Sequence, residues 1–318
     1  MILVTGGAGF IGNNLIKKLN QKGYDNILVI DNLKKSYKFH NLINCKIMDF
    51  LDKKKFLFNI LEKKYLPNIK VIFHQGACTI TTKSNGTYMM NNNYEYSKIL
   101  LTYAVENNIP FLYASSAAVY GNSKKKLIED NQNEKPLNIY GYSKLLFDQY
   151  VIKTIPKSKS QICGLRYFNV YGPYENHKKN MASIIFQINQ SINYENKIKL
   201  FKNSHIFKRD FIYIDDVISV NLWCWKKKIS GIFNCGTGKA QSIENIAKII
   251  KKIYNKKNIS IEYFPIPKNL KKTYQIFTKA NLNKLRHIGY SKPFKKIEQG
   301  IIEYIQWLNK KKHENISY

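Results

Sequence analysis

Short apolar runs recur at nearly even intervals through the first half of the chain. They fall at 2–5, 26–30, 45–48, 70–74, 110–115 and 161–167. Between them, apolar residues repeat at three- and four-residue spacing near 10–22, 52–63, 87–107 and 141–154. The first pattern predicts buried strands and the second predicts amphipathic helices. Strands that alternate with helices predict βαβ units, and so an α/β fold with a Rossmann-type, doubly wound parallel sheet. After about residue 168 the rhythm breaks. Helical patterns near 179–193 and 242–254 alternate with strand candidates at 197–201, 211–214, 231–235 and 259–263. These predict a smaller α/β domain built from about 168–208 and 239–318. The sheet domain takes 1–167 and about 209–238, and the last segments are free to return to it. Trp223 and Trp225 are expected to pack in the core, and the polar tail 309–318 to be a frayed, solvated end.

The 318 residues suffice for one large domain or two moderate ones, and a hydrophobic content of 44% indicates a globular chain. No apolar run reaches the roughly 18 residues that span a bilayer, so no membrane insertion is expected. The opening residues lack a basic leader and run straight into a strand and turn, so the expected location is the cytoplasm. Cys45, Cys78, Cys163, Cys224 and Cys235 are scattered and form no C-x-x-C pair. They read as small reduced thiols, with no disulfide frame and no metal site. The net charge of +31 changes the picture more. A nucleic-acid binder carries such an excess, but its surfaces favour the planar fork of arginine. Here Arg166, Arg209 and Arg286 stand alone among 52 basic residues. The lysines spread along the chain beside Asn, Ile and Tyr, as mutation bias in an AT-rich genome would leave them, and no nucleic-acid partner is expected.

Candidate chemistry begins at the first turn. Gly6, Gly9 and Gly12 lie between the first strand and the first helix. Glycines there permit a tight turn and close approach of the backbone to a pyrophosphate, seated at the helix N-terminus. Nineteen residues after Gly12, the second strand candidate ends at Asp31, a position suited to accept hydrogen bonds from an adenosine ribose. Asp31 alone favours NAD because it repels a 2′-phosphate. Asn32, Lys34, Lys35 and Lys38 follow at once, so NADP stays open. Further on, Ser115 and Ser116 close the strand candidate at 110–115, and Tyr140 and Lys144 stand four apart where the next helix starts. A serine, a tyrosine and a lysine in that order suit hydride transfer. Bringing a phenol from about 10 to about 7 takes roughly 4 kcal/mol. An ammonium about 4 Å away supplies that much at an effective dielectric of roughly 20.

With these residues in place, the chain resembles the extended short-chain dehydrogenase/reductases, a family of nucleotide-sugar epimerases, dehydratases and reductases. The segments TGGAGFIG, SSAAVYG, YGYSK and RYFNVYGP carry the resemblance, in the family's order and spacing. Dehydratases of the family place an Asp-Glu pair where this chain has Ala117 and Ala118, which weakens that reading. Further segments, among them NNNYEYSKILL, RYFNVYGPYENHKKNMAS and KLFKNSHIFKRDFIYIDDV, are similar to the family's branch that inverts carbon 6 of an ADP-heptose.

That resemblance implies a tightly bound NADP, with NAD as the alternative, an ADP-heptose substrate, and a homo-oligomer, expected to be a pentamer. It implies that Phe10, Ile11, Asp31, Asn32, Lys38, Lys53, Gln75, Gly76, Ala77, Cys78, Thr79, Asn92, Lys144, Val170 and Lys178 line the cofactor. Tyr140 and Lys178 become two proton-transfer groups on opposite sides of the sugar, with Ser116 bonded to the reacting oxygen. Asn169, Asn180, Gln187, Phe201, Lys202, Asn203, Ser204, Arg209 and Tyr274 would hold the ADP-sugar. Gln75, Asn180 and Gln187 depart from the family's usual acid, serine and histidine. From the residues alone, Lys178 reads as a solvated loop charge, His177 as a surface or hydrogen-bonding histidine, and Arg209 either as a diphosphate clamp or as a surface partner of Asp210. The implied reaction is an epimerisation without net redox. Its rivals are another nucleotide-sugar epimerase, such as one acting at carbon 4 of a UDP-hexose, and a nucleotide-loaded protein without catalysis.

Overall fold

The computed structural model describes residues 1–64, 68–80, 85–123, 127–255, 258–267 and 274–313. Strands β1 (Ile2–Thr5), β2 (Ile27–Asp31), β3 (Asp49–Asp52), β4 (Val71–His74), β5 (Phe111–Ser116) and β6 (Ile162–Tyr167) alternate with helices in the first half. The helices are α1 (Phe10–Asn20), α2 (Lys53–Leu61), α3 (Gly86–Met90), α4 (Tyr96–Glu106) and α5 (Ile139–Thr154). A π turn at Asn91–Glu95 joins α3 to α4. The second half adds β7 (Asn169–Tyr171), α6 (Ile184–Glu195), β8 (Lys197–Phe201), β9 (Lys208–Tyr213), α7 (Ile214–Lys226), β10 (Gly231–Cys235) and β11 (Ala240–Ser242). It ends with α8 (Ile243–Tyr254), β12 (Ser260–Phe264), α9 (Asn283–His287) and α10 (Ile297–His313).

Seven parallel strands form the central sheet in the order β10-β6-β5-β4-β1-β2-β3. Both faces of the sheet are covered, which is why its strands read as unbroken apolar runs. Ile2 and Val4 point to one face, with Leu15 and Ile16 of α1 and Val217 of α7. Leu3 points to the other, with Phe56 of α2, Leu100 of α4 and Phe147 of α5. Strand order reverses between β1 and β4, and such a switch point opens a crevice at the carboxyl ends of the strands. Beyond that end lie two small sheets, β11-β9-β7 and β12-β8. No helix among the described residues is long and apolar enough to cross a membrane.

Several boundaries differ from the sequence reading. The third strand starts at Asp49, after the apolar run at 45–48, because it is the edge strand and half its side chains face water. Helix α6 begins at Ile184, capped by the Ser183 hydroxyl; the preceding residues form a 3₁₀ turn with Lys179 at φ +51°. The polar tail is helical through His313, and residues 314–318 lie outside the described residues. Trp223 and Trp225 pack against the core, on Tyr290 and Phe73 respectively.

Candidate active site

A cleft of about 370 Å³ lies over the switch point. Its lining draws on the start of α1 (Phe10, Ile11), the loop after β4 (Gln75, Ala77, Thr79) and the end of β5 (Ser116). Tyr140 and Lys144 enter from α5, Asn169 and Val170 from β7, Lys178 and Ala182 from the following loop, and Arg209 and Tyr274 from the small sheets' side. Residues spread along the chain from Phe10 to Tyr274 thus converge on one space.

The floor of the cleft fits a dinucleotide. Gly6 has φ +68°, and a Cβ there would lie 2.6 Å from the Gly76 Cα. A Cβ on Gly12 would lie 2.2 Å from the Gly6 carbonyl oxygen. Only bare backbone allows this turn, and it leaves the N-terminus of α1, headed by Gly9, open to an anion. Asp31 ends β2 and is buried. Its Oδ2 accepts the Ala8 N–H (2.9 Å), and its Oδ1 accepts the Asn32 N–H (2.7 Å) and the Lys38 ammonium (2.5 Å). Lys53 donates to Asn92 Oδ1 (2.8 Å) and lies over the Tyr96 ring. Burial pulls its ammonium down to about 8, against the opposing pull of Asp31, Cys78 and Asp52. Cys78 is fixed by Asn93, whose Oδ1 accepts the Cys78 N–H (2.8 Å) and whose Nδ2 donates to the Cys78 carbonyl (2.9 Å). The sequence reading missed Asn93; a single amide among three consecutive asparagines carries no distinguishing signal.

Three residues one helical turn apart on α5 grip the end of β5. Tyr140 is hydrogen-bonded to Ser116, Lys144 Nζ donates to the Ala114 carbonyl (2.7 Å), and Asp148 accepts the hydroxyls of Ser115 and Tyr113 (both 2.8 Å). Asn138 caps the helix by accepting the Gly141 N–H (2.9 Å), which starts α5 where Tyr140 can reach the cleft. Burial pulls the Lys144 ammonium down to about 8, and Asp148 opposes that pull. Tyr140 differs from the expectation based on Lys144. Burial pushes its phenol above the ordinary value, the Ser116 hydrogen bond opposes this, and Cys78 adds to it. Desolvation therefore outweighs what the protein's own cations do for this hydroxyl.

Lys178 is not a solvated loop charge. It lines the cleft, its Nζ stands 5.4 Å from the centre of the Phe10 ring, and burial lowers its ammonium while Glu175 raises it. Glu175 is wholly buried and fastens the loop to the start of α6 by accepting the Ser183 N–H and hydroxyl (both 2.6 Å). His177 is half-buried beside Asn41 and the Tyr174 carbonyl, and burial with Lys38, Lys178 and Lys35 nearby holds it down to about 4. Arg209 is buried and has no carboxylate partner among the described residues; its guanidinium packs over the Tyr274 ring (4.9 Å) and reaches Gln275. The Asp210 carboxylate points elsewhere, to Thr237, Gly238 and Ala280. A surface pair of Arg209 with Asp210 is thereby excluded.

Of the other implied positions, Gln75 is part of the cleft lining and six stand back from it. Gln75, in place of an acid, accepts the Tyr167 hydroxyl (2.9 Å) through its amide oxygen. Asn180 and Gln187 are exposed and bonded to each other through the Asn180 carbonyl (3.2 Å). Phe201 packs edge-on against Tyr274, Lys202 and Asn203 are exposed, and Ser204 is buried against Glu244. None of these last six lines the cleft.

This combination of a switch-point cleft, a glycine turn and a Ser-Tyr-Lys cluster defines a nicotinamide-dependent α/β enzyme. The chain belongs to the NAD dependent epimerase/dehydratase family, whose model matches residues 2–236. Its fold is similar to that of an ADP-L-glycero-D-manno-heptose-6-epimerase from Helicobacter pylori, with 32% identity and a TM-score of 0.83, covering 97% of this chain and 96% of that one. A UDP-N-acetylglucosamine 4-epimerase from Methanobrevibacter ruminantium has 24% identity and a TM-score of 0.85, covering 98% of both chains. A UDP-glucose 4-epimerase from Thermotoga maritima has 24% identity and a TM-score of 0.81, covering 97% of this chain and 98% of that one. At that identity the last two likenesses concern the fold alone.

Proposed function

We propose that the protein interconverts ADP-D-glycero-β-D-manno-heptose and its L-glycero epimer by inverting carbon 6, and so supplies heptose for the lipopolysaccharide inner core. One observation carries the reading: Tyr140 and Lys178, from segments 38 residues apart, line the same cleft. Inversion through a ketone presents the carbon's oxygen in two orientations, and each needs its own proton partner.

In this reading the part formed by 1–167 and 209–238 holds the cofactor, and the remainder holds the sugar nucleotide. The glycine turn and α1 seat the pyrophosphate, and Asp31 and Asn32 take the adenosine ribose. The Lys38 ammonium on Asp31 cancels the charge that would repel a 2′-phosphate, which favours NADP over NAD. When bound there, a nicotinamide would supply a reversible hydride acceptor for carbon 6. Tyr140 takes the hydroxyl proton in one orientation and Lys178 exchanges it in the other. Ser116 holds the oxygen in both. Lys144 holds the ribose next to the nicotinamide and contributes positive charge beside Tyr140. Arg209, with no carboxylate partner among the described residues, grips the diphosphate, and Tyr274 covers it. The 32% likeness to a heptose epimerase over nearly the whole chain supports this substrate. We further propose that the protein works as a cytoplasmic homo-oligomer, a pentamer.

Incubation with ADP-D-glycero-manno-heptose, UDP-glucose and UDP-galactose in parallel tests the substrate. The expected result is inversion of the heptose alone, read by product stereochemistry at carbon 6. Turnover of the UDP-hexoses instead would establish the carbon-4 rival.

A further inference from the structure

The cleft floor consists of two backbones pressed together with no side chain between them. The turn after β1 touches the loop after β4, and a Cβ on Gly76 would lie 3.1 Å from both the Gly6 nitrogen and Thr5 Oγ1. Sheet pairing holds β1 and β4 in register as far as the bond from the Gln75 N–H to the Thr5 carbonyl (3.1 Å), but among the described residues no backbone bond joins Gly6 to Gly76 beyond it. Behind them runs a chain of buried polar groups. The Gly76 N–H donates to Thr5 Oγ1 (3.1 Å), and Thr5 Oγ1 stands 2.6 Å from His74 Nδ1. On the other side of the ring, His74 Nε2 stands 2.8 Å from Ser97 Oγ, which in turn donates to the Asn93 carbonyl (2.6 Å).

The direction of every bond follows from the last one. A carbonyl can only accept, so the Ser97 proton goes to Asn93. Ser97 must then accept from His74, which places a hydrogen on Nε2. A neutral imidazole with Nε2–H has a bare Nδ1, so Thr5 donates to it and keeps a lone pair for Gly76. The ring is neutral because it is buried and because Lys144 and Lys53 stand near it; all three hold it well below the usual histidine range. The chain closes on itself. Asn93, at its far end, clamps both backbone groups of Cys78, two residues beyond Gly76 in the same loop.

We propose that His74, as the Nε2–H tautomer, is the positioning residue of the dinucleotide cradle, joining the glycine turn through Thr5 to the loop at 75–80 and to the π turn. The proposal rests on the reading that this cleft floor holds the nicotinamide dinucleotide. His74 itself touches no ligand. It fixes the separation of the two backbones that do, and it does so with a hydrogen-bond polarity that only one tautomer supplies.

Thr5→Val tests the role with little change of shape, since it removes only the hydroxyl that links Gly76 to His74. Dissociation constants for NADP and NAD, measured by nicotinamide or intrinsic fluorescence on the full chain, are expected to weaken by about tenfold, the size of one buried hydrogen bond lost with its partners left unpaired. Thr5→Ser, which restores the hydroxyl, is expected to restore the affinity. Nitrogen-15 spectra of the wild-type histidine rings are expected to show His74 with a bare Nδ1 and a protonated Nε2. Unchanged affinity in Thr5→Val, a serine variant as weak as the valine variant, or an Nδ1–H tautomer would each overturn the proposal. Wild-type protein that binds neither dinucleotide would remove the reading of the cleft, and the cradle role with it. The tautomer assignment would still be decided by its own spectrum.

Discussion

At the scale of single residues, the site depends on three ionisable groups whose surroundings oppose their ordinary behaviour. Tyr140 is held above the usual phenol range by burial, and Lys144 and Lys178 are both lowered by burial. Tyr140→Phe is expected to lower turnover by roughly 10² to 10⁴-fold, the usual contribution of general acid–base transfer. Cofactor should still copurify with that variant, because the glycine turn and Asp31 are untouched. Turnover near wild type would refute the assignment. The Lys144 ammonium, at about 8, sets a second expectation. Its charge is present below that value and is lost as pH rises through it, so the rate should fall on the alkaline side from about pH 8. A pH–rate profile that stays flat to pH 10 would show that the charge on Lys144 is not needed. The residues behind these predictions were unequally legible. Tyr140, Lys144 and Gly6 stood out because each motif lies within a few residues of sequence. Lys178 did not, because its meaning comes from burial, which is not written in the local sequence. Arg209 stood out as one of three arginines, and its burial, with Asp210 turned to other partners, sets the surface pair aside.

At the scale of elements, α5 is docked by charge as well as by apolar contact. Arg166 on β6 is wholly buried and gives one nitrogen each to Asp148 on α5 (2.8 Å), to Glu134 (2.5 Å) and to the Tyr120 hydroxyl (3.0 Å). Asp148 lies one turn beyond Lys144, so the same network that holds the helix holds the Tyr140–Lys144 face in place. Arg166→Met fills a similar space but strands two buried carboxylates. It is expected to cost about 3–5 kcal/mol, the typical penalty for breaking a buried ion pair from one side. Urea unfolding followed by circular dichroism would measure it, and a loss below about 1 kcal/mol would mean that the carboxylates find other donors or neutralise. Elements were legible where periodicity had room to show. The parallel strands other than β3, and α1, α2 and α5, fell close to their predicted spans. Strands β7 and β11 have three residues each, too few for any period. Helix α7 was hidden because its apolar and acidic opening reads as a continuation of β9, and α10 because lysines and glutamines dilute its apolar stripe.

The whole molecule carries a charge of +31, with 52 basic residues against 21 acidic ones. Most of that charge has no partner of opposite sign, and a compact body concentrates it. Added salt shortens the screening length from about 30 Å at 0.01 M to about 8 Å at 0.15 M. The melting temperature is therefore expected to rise with sodium chloride over that range, opposite to a protein held together by surface ion pairs. A melting temperature that falls with salt would show that attractive pairs dominate. The order of the central sheet has a consequence for synthesis. Six of its strands, β1 to β6, have left the ribosome once residue 167 has emerged, but the seventh, β10, follows only at residues 231–235. For the time needed to translate those intervening residues, the nascent chain presents β6 as an unpaired rim bearing Ile162, Cys163 and Leu165. That rim is the surface a chaperone would meet, and the point at which two half-made chains would join by mistake.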